Sequence, residues 1–170
     1  MRFELEQRFS APRDAVERAF LDADVLARVA SLPHLRTAEL LEQRAEGDVV
    51  RRRVRFAFRG RLSPAVTAVV DPSRLSWVDD SVFDTRAHRG RFRILPDHYA
   101  DRLSCAGTVA FELDEIDGRT RRLVMGDLRV RMPLVGGRAE RAIVSGLRDH
   151  AAAEARVVQA WLDERARGDG

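Results

Sequence analysis

The last third of the chain reads as one long strand, a sharp corner and one long helix, and that order restricts what the rest can build. Residues 119–132 alternate apolar and polar side chains. Pro133-Leu134-Val135-Gly136-Gly137 follows, and a helical pattern then runs to about residue 167. Alternation with a period of two marks a half-buried strand, and recurrence every three to four residues marks an amphipathic helix. With several alternating segments before it, this ending predicts an α+β protein. A curved antiparallel sheet would wrap a C-terminal helix and leave apolar space between them.

The upstream segments fit that plan. Residues 2–9 put Phe3, Leu5, Gln7 and Phe9 on one face and Arg2, Glu4, Glu6 and Arg8 on the other. Ser10-Ala11-Pro12 offers a helix N-cap and a first-turn proline. Val16, Ala19 and Phe20 continue at helical spacing. Asp22 or Asp24 restarts a second short helix with Val25, Leu26, Val29 and Leu32, which Pro33 stops. Further strands are expected over residues 37–45, 49–58, 75–83, 88–94 and 103–113, giving about six to seven in all. Ser63-Pro64 reads as the start of a short helix over residues 65–70. Gly47 and the Asp117-Gly118 pair mark turns. Gly107 and Gly126 fall on inward strand faces, where a missing side chain suits a sharp bend or a close approach. No linker, repeat or low-complexity tract interrupts the chain, so residues 1–170 are expected to form one domain.

Composition narrows the function classes. The chain is 45% hydrophobic and 34% charged, a globular balance. All 30 basic residues are arginine, set against 27 acidic ones for a net charge of +3. Arginine-only usage fits either a genome rich in G and C or phosphate recognition. The two signs are interleaved rather than concentrated on one face, so no nucleic-acid partner is expected. Arg51-Arg52-Arg53 is the one basic run. Alternation sends Arg51, Arg53, Arg55 and Arg59 outward. Arg52 keeps the parity of Val50, Val54 and Phe56, so it either marks a bulge or points a guanidinium inward. No apolar run approaches the ~20 residues that span a bilayer. The first residues lack a signal peptide's apolar core, and Cys105 alone cannot close a disulfide. A cytoplasmic monomer or homodimer without an integral membrane segment is the expectation.

Three stretches carry a family resemblance. Met1-Arg2-Phe3-Glu4 through Phe9-Ser10-Ala11-Pro12-Arg13-Asp14-Ala15-Val16 resembles the opening strand and helix start of the START-like (SRPBCC, helix-grip, pollen-allergen-like) superfamily. Leu75-Ser76-Trp77 resembles its middle strand. Val130 through Glu140, with its Met-Pro-Leu-Val-Gly-Gly corner, is similar to a START-like family of unknown function found largely in actinobacteria. The resemblance covers nearly the whole chain, and its motifs are structural. It implies a cavity between the concave sheet and the last helix. It also implies ligands of the superfamily's kind: lipids, steroids, polyketides and other apolar molecules.

The chemistry-bearing residues do not assemble into a catalytic motif. His34, His88, His98 and His150 show no metal-ligand spacing, and neither metal nor cofactor is expected. His150 and Glu154, one turn apart, form either a pair at the helix's solvent edge or a polar anchor inside. Asp79 lies either on a sheet edge or in the interior, where desolvation would raise its pKa. His98-Tyr99 follows Pro96-Asp97 as a surface turn or as cyclase-type acid–base groups at a cavity mouth. Cys105 reads as a packed thiol. Gly136-Gly137 is a chain reversal rather than an anion cradle.

The leading expectation is therefore non-catalytic binding or transport of an apolar or amphipathic small molecule. Phe56, Trp77, Phe92, Phe111, Val130, Ile143 and Leu147 would line the cavity, with Arg52, Asp79 and His150 as polar anchors. The alternatives are a polyketide cyclase or aromatase-like enzyme and a protein-interaction module with a filled cavity.

Overall fold

A computed structural model describes residues 1–59, 62, 64–67, 70–114 and 116–168, apart from the side chain of residue 65. The order of elements is β1 (Arg2–Phe9), α1 (Arg13–Leu21), α2 (Ala23–Ala30), β2 (Leu35–Glu46), β3 (Val49–Phe58), α3 (Pro64–Thr67), β4 (Ser76–Asp84), β5 (Arg89–Pro96), β6 (Leu103–Leu113), β7 (Thr120–Val130) and α4 (Gly136–Gly168). The seven strands form one antiparallel sheet in the order β1-β7-β6-β5-β4-β3-β2. The long helix α4 packs on β1 and β7 and against α1 and α2. This is the helix-grip arrangement.

Local chemistry explains the boundaries. Asp22 caps α2 by accepting the Asp24 N–H at 2.8 Å, which decides between the two candidate aspartates. Ser10 does not cap α1; Pro12 holds the cap position, and the Ser10 N–H bonds the Gln159 side chain at 2.9 Å. Gly47 and Gly118 take left-handed backbones at their turns, as a residue without Cβ can. The α3 helix is described over Pro64–Thr67, and its anticipated cap, Ser63, and residues 68 and 69 of its expected span lie outside the described residues. The last strand stops at Val130, short of Met132.

Strand register sorts the inner face into rows. Phe3, Gly126, Gly107, Phe92, Ser81 and Arg52 are successive partners across the sheet. Leu128, Cys105, Ile94, Asp79 and Val54 form the next row. The glycines are required by crowding. A Cβ on Gly107 would lie 2.0 Å from the Met125 carbonyl oxygen, and one on Gly126 would lie 2.4 Å from the Phe3 ring.

Two apolar clusters hold sheet and helices together. One gathers Phe9, Val16, Val25, Val29, Phe83, Phe111, Val158 and Trp161 where α1, α2 and the end of α4 meet the sheet. The other gathers Phe3, Cys105, Val124, Leu128 and Val144. Because α4 serves both, it buries a broader band than one stripe. Val144 and Ala151 are buried along with Ala139, Val158, Trp161 and Leu162, whereas helical spacing alone predicts a single apolar stripe through Ala139, Ile143, Leu147, Val158 and Trp161/Leu162. Among the described residues, no helix is long and apolar enough to cross a membrane.

Candidate functional site

Arginine and carboxylate side chains enter the interior from three strands and from α4. Arg52 comes from β3 with its pairing to β4 unbroken, so no bulge excuses it. The bulges of this sheet region fall in β2 instead, at 35–37 and 40–42. Arg51, Arg53 and Arg55 are exposed, whereas Arg52 turns inward and its Nη1 donates to the Phe20 carbonyl oxygen. Asp79 lies on β4, third from the β2 edge, so it is not an edge residue. Its Oδ1 is buried without a hydrogen-bond partner. Burial pushes its carboxyl up to about 6, against the opposing pull of the Arg122 and Arg52 charges.

Arg122 is the residue that sequence reasoning missed. It sits on β7, separated from β4 by β6 and β5. In a flat sheet that separation would be about 14 Å. Curvature brings the Arg122 charge to bear on Asp79. The Arg122 Nη1 donates to Gln7 Oε1 and lies 3.5 Å from Glu154 Oε2 on α4. Its guanidinium stacks on the Phe20 ring at 4.2 Å from the centroid. Parity could have found it, since Arg122 shares a face with Val124 and Leu128.

Gln7 completes the crossing. Its Nε2 donates to the Ala151 carbonyl oxygen at 2.6 Å and to Glu154 Oε2 at 3.1 Å, which ties β1 to α4. His150 on α4 is half-buried. Its Nδ1 is 2.6 Å from His34 Nε2, and its Nε2 is 4.0 Å from Glu154 Oε1. Burial, then the neighbouring His150, lowers the His34 pKa. His34 had no signal beyond its place after Pro33. The result is a polar belt of Gln7, Arg52, Asp79, Arg122, His150 and Glu154 in an interior whose other side chains are mostly apolar.

The expected lining residues take different positions. Phe56 and Trp77 are half-buried and stack at 5.9 Å between centroids. Phe92, Ile143 and Leu147 are half-buried beside the second cluster, and Val130 is half-buried at the end of β7. Phe111 is spent on packing, edge-on to Phe20 and Phe83. Cys105 is buried in the second cluster, and burial pushes its thiol up to about 11, which disfavours the thiolate. His98 is exposed and bonds Arg74 at 3.2 Å, while Tyr99 accepts the Asp71 N–H through its hydroxyl. Neither reaches the belt. An open depression of about 600 Å³ lies over Gly107 and Gly126, away from the belt residues.

Among the described residues, one cluster elsewhere has metal-type ligand atoms. Asp14, Glu17 and His88 bring one such atom each within 4.8 Å of one another. Two of them are already joined by a hydrogen bond of 2.7 Å from His88 Nδ1 to Glu17 Oε1.

The profile of one family, described as "Protein of unknown function (DUF2505)", matches residues 4–162. The chain belongs to this family. Among curated proteins, none matches the sequence. Solved structures similar to this DUF2505 member include a protein from Thermus thermophilus, at TM-score 0.67 and 18% identity, covering 97% of this chain and 99% of that one. The Zhui aromatase/cyclase from Streptomyces sp. R1128 is similar at TM-score 0.68 and 18% identity, over 100% and 98% of the two chains. Ara h 8.0201 is similar at TM-score 0.59 and 10% identity, over 96% and 98%. At these identities the likeness is one of fold, and it places the DUF2505 chain among helix-grip proteins.

Proposed function

We propose that this protein binds and carries an amphipathic small molecule of lipid- or polyketide-like character inside the grip. Its apolar body would lie against Phe56, Trp77, Phe92, Ile143 and Leu147. Its polar group would meet the belt, with Arg52, Asp79 and His150 as the principal anchors. The observation that carries this reading is Asp79. A buried carboxyl with an unpartnered oxygen is costly. An incoming hydroxyl or amide that donates to it, beside two guanidiniums, would relieve that cost. The driving force is apolar burial. About 300 Å² of ligand surface would contribute roughly 7 kcal/mol gross, which ordering and translational costs then reduce.

A second reading is an enzyme, as the aromatase/cyclase among the structural neighbours suggests. What favours it is an Asp79 that titrates at about 6, where it can exchange protons near neutrality. The exposed position of His98 and the outward bond of Tyr99 weigh against it.

Native mass spectrometry of the purified protein, together with titration of an environment-sensitive apolar dye, tests the carrier reading. Retained small-molecule mass or saturable dye uptake is expected, with uptake reduced in Trp77→Ala. Absence of both would overturn the proposal. Release of a chemically altered molecule would favour the enzyme.

A further inference from the structure

Among the described residues, two large aliphatic side chains stand fully in solvent, Ile116 at the β6–β7 turn and Leu134 at the corner before α4. They differ in what surrounds them. The Ile116 N–H bonds the Asp114 carboxylate at 3.0 Å, and the charges around that tip are paired, Asp114 with Arg8 at 3.4 Å and Asp117 with Arg119 at 3.3 Å. Leu134 stands between Arg131 and Arg138, with Arg141 one turn further on and its Nη1 folded back toward Gly137. Among the described residues, Arg131, Arg138 and Arg141 make no ion pair.

The acids close to this corner are already engaged. Glu140 accepts the Val130 N–H at 2.9 Å, and Asp127 is 3.3 Å from Arg129 Nε. The β5–β6 turn is tied to the corner through the Arg102 carbonyl oxygen, which accepts the Arg131 N–H at 2.7 Å, and its own charges are paired, Arg102 Nε lying 3.5 Å from Asp101. The first turn of α4 carries no acidic residue. Positive charge is therefore left unmatched around one projecting leucine.

Leu134 is also costly where it stands. Its φ is 67°, a left-handed backbone that disfavours any residue with a Cβ. A glycine there would remove both the strain and the exposed apolar surface. No packing contact repays the leucine, since its side chain is fully exposed.

We propose that this corner docks the protein on an anionic lipid surface. Leu134 would insert at the headgroup–acyl boundary while Arg131, Arg138 and Arg141 engage lipid phosphates and carboxylates. A projecting tip needs no complementary pocket in its partner, and a bilayer interface accepts an apolar side chain flanked by cations. A protein partner of acidic character would need a shaped recess for Leu134. The proposal goes beyond ligand carriage and stands whether or not the interior holds a guest.

The test is flotation of the full-length protein with phosphatidylcholine vesicles and with vesicles containing about 30% phosphatidylserine, at low salt and at about 0.5 M salt. Binding to the anionic vesicles alone, weakened by salt, is expected. Leu134→Gly should melt at the same or a higher temperature yet bind at least about fivefold more weakly. Arg138→Gln/Arg141→Gln should lose about 25-fold, some fivefold for each charge near the surface. Ile116→Gly should bind like the parent. Equal binding to neutral vesicles, no binding at all, or anionic binding unaffected by Leu134→Gly would each overturn the proposal. So would tighter retention on immobilised polyglutamate than on vesicles, which would assign the corner to an acidic protein.

Discussion

Glu17 and Asp79 are both carboxylic acids placed inside this protein, and their surroundings differ in kind. Glu17 on α1 is 5% exposed and accepts a hydrogen bond of 2.7 Å from His88. The His88 carbonyl oxygen in turn accepts the Phe111 N–H at 2.8 Å, so the pair fastens α1 to the sheet. Asp79 has two guanidiniums in electrostatic range but an oxygen with no hydrogen-bond partner. Burial raises the pKa of both. The lesson is that burial alone does not separate structural acids from functional ones. A buried acid whose partner is a fixed neighbouring side chain is a fastener. Under the proposed reading, a buried acid left partly unsatisfied is a seat for a ligand group.

Arg122 offers the largest test of that difference. In Arg122→Met the stem volume and the packing on Phe20 largely persist, but Glu154 and Gln7 lose the guanidinium beside them and Asp79 keeps only Arg52. Removing one partner from a buried charged set costs about 3–5 kcal/mol. Urea denaturation at pH 8 should show a loss of that order, and Asp79 should titrate still higher than about 6, because Arg122 is the main charge holding it down. A loss below about 1 kcal/mol would mean that the belt is solvated and its charges weakly coupled.

Asp79→Asn should act in the opposite direction. The folded-state pKa is raised from 3.8 to about 6, so the folded protein binds this proton more tightly than the unfolded chain does. The contribution of Asp79 to stability then falls as pH rises from about 4 to about 6, and its penalty of about 3 kcal/mol persists above that range. Asparagine removes the penalty but brings the cost of burying an amide. The variant should be about 1–2 kcal/mol more stable than the parent at pH 8 and no more stable at pH 4, as urea midpoints at the two pH values would show. Greater stability combined with weaker dye or ligand uptake would identify Asp79 as a group retained for binding.

Much of this fold was legible because alternation and helical spacing are sustained over long segments. The parity of Phe3, Gln7, Phe9 and Trp77 sent each side chain to the face it occupies, while parity left Arg52 open between a bulge and the interior and Asp79 open between a sheet edge and the interior. The Pro-Leu-Val-Gly-Gly corner and the long last helix set the topology. The polar belt was only partly legible. Arg52, Asp79 and His150 stood out as polar residues on apolar faces. Arg122 was hidden beside Arg121 in an arginine-rich chain, and only sheet curvature brings it toward Asp79. His34 lies in a connection with no periodicity, so its contact with His150 depends on how α2 meets α4. Val144 and Ala151 were missed because one helical stripe was expected where α4 faces two clusters.

The smallest expected effect is the one that makes the comparison fair. Glu17→Gln keeps the shape of the side chain and an oxygen that can still accept from His88 Nδ1. It also removes a charge that burial disfavours. With hydrogen bond and packing both retained, stability at pH 8 should change by no more than about 0.5 kcal/mol, on either side of zero. Dye or ligand uptake should not change at all, because Glu17 lies outside the belt. The same urea and dye titrations applied to Asp79→Asn provide the contrast. If Glu17→Gln stabilised the protein as much as Asp79→Asn, a hydrogen-bond partner would not distinguish the two acids, and the unsatisfied oxygen of Asp79 would lose its standing as a sign of a ligand seat. If Glu17→Gln is silent while Asp79→Asn gains stability and loses uptake, the two buried acids serve different ends, one holding a helix to the sheet and the other waiting on a guest.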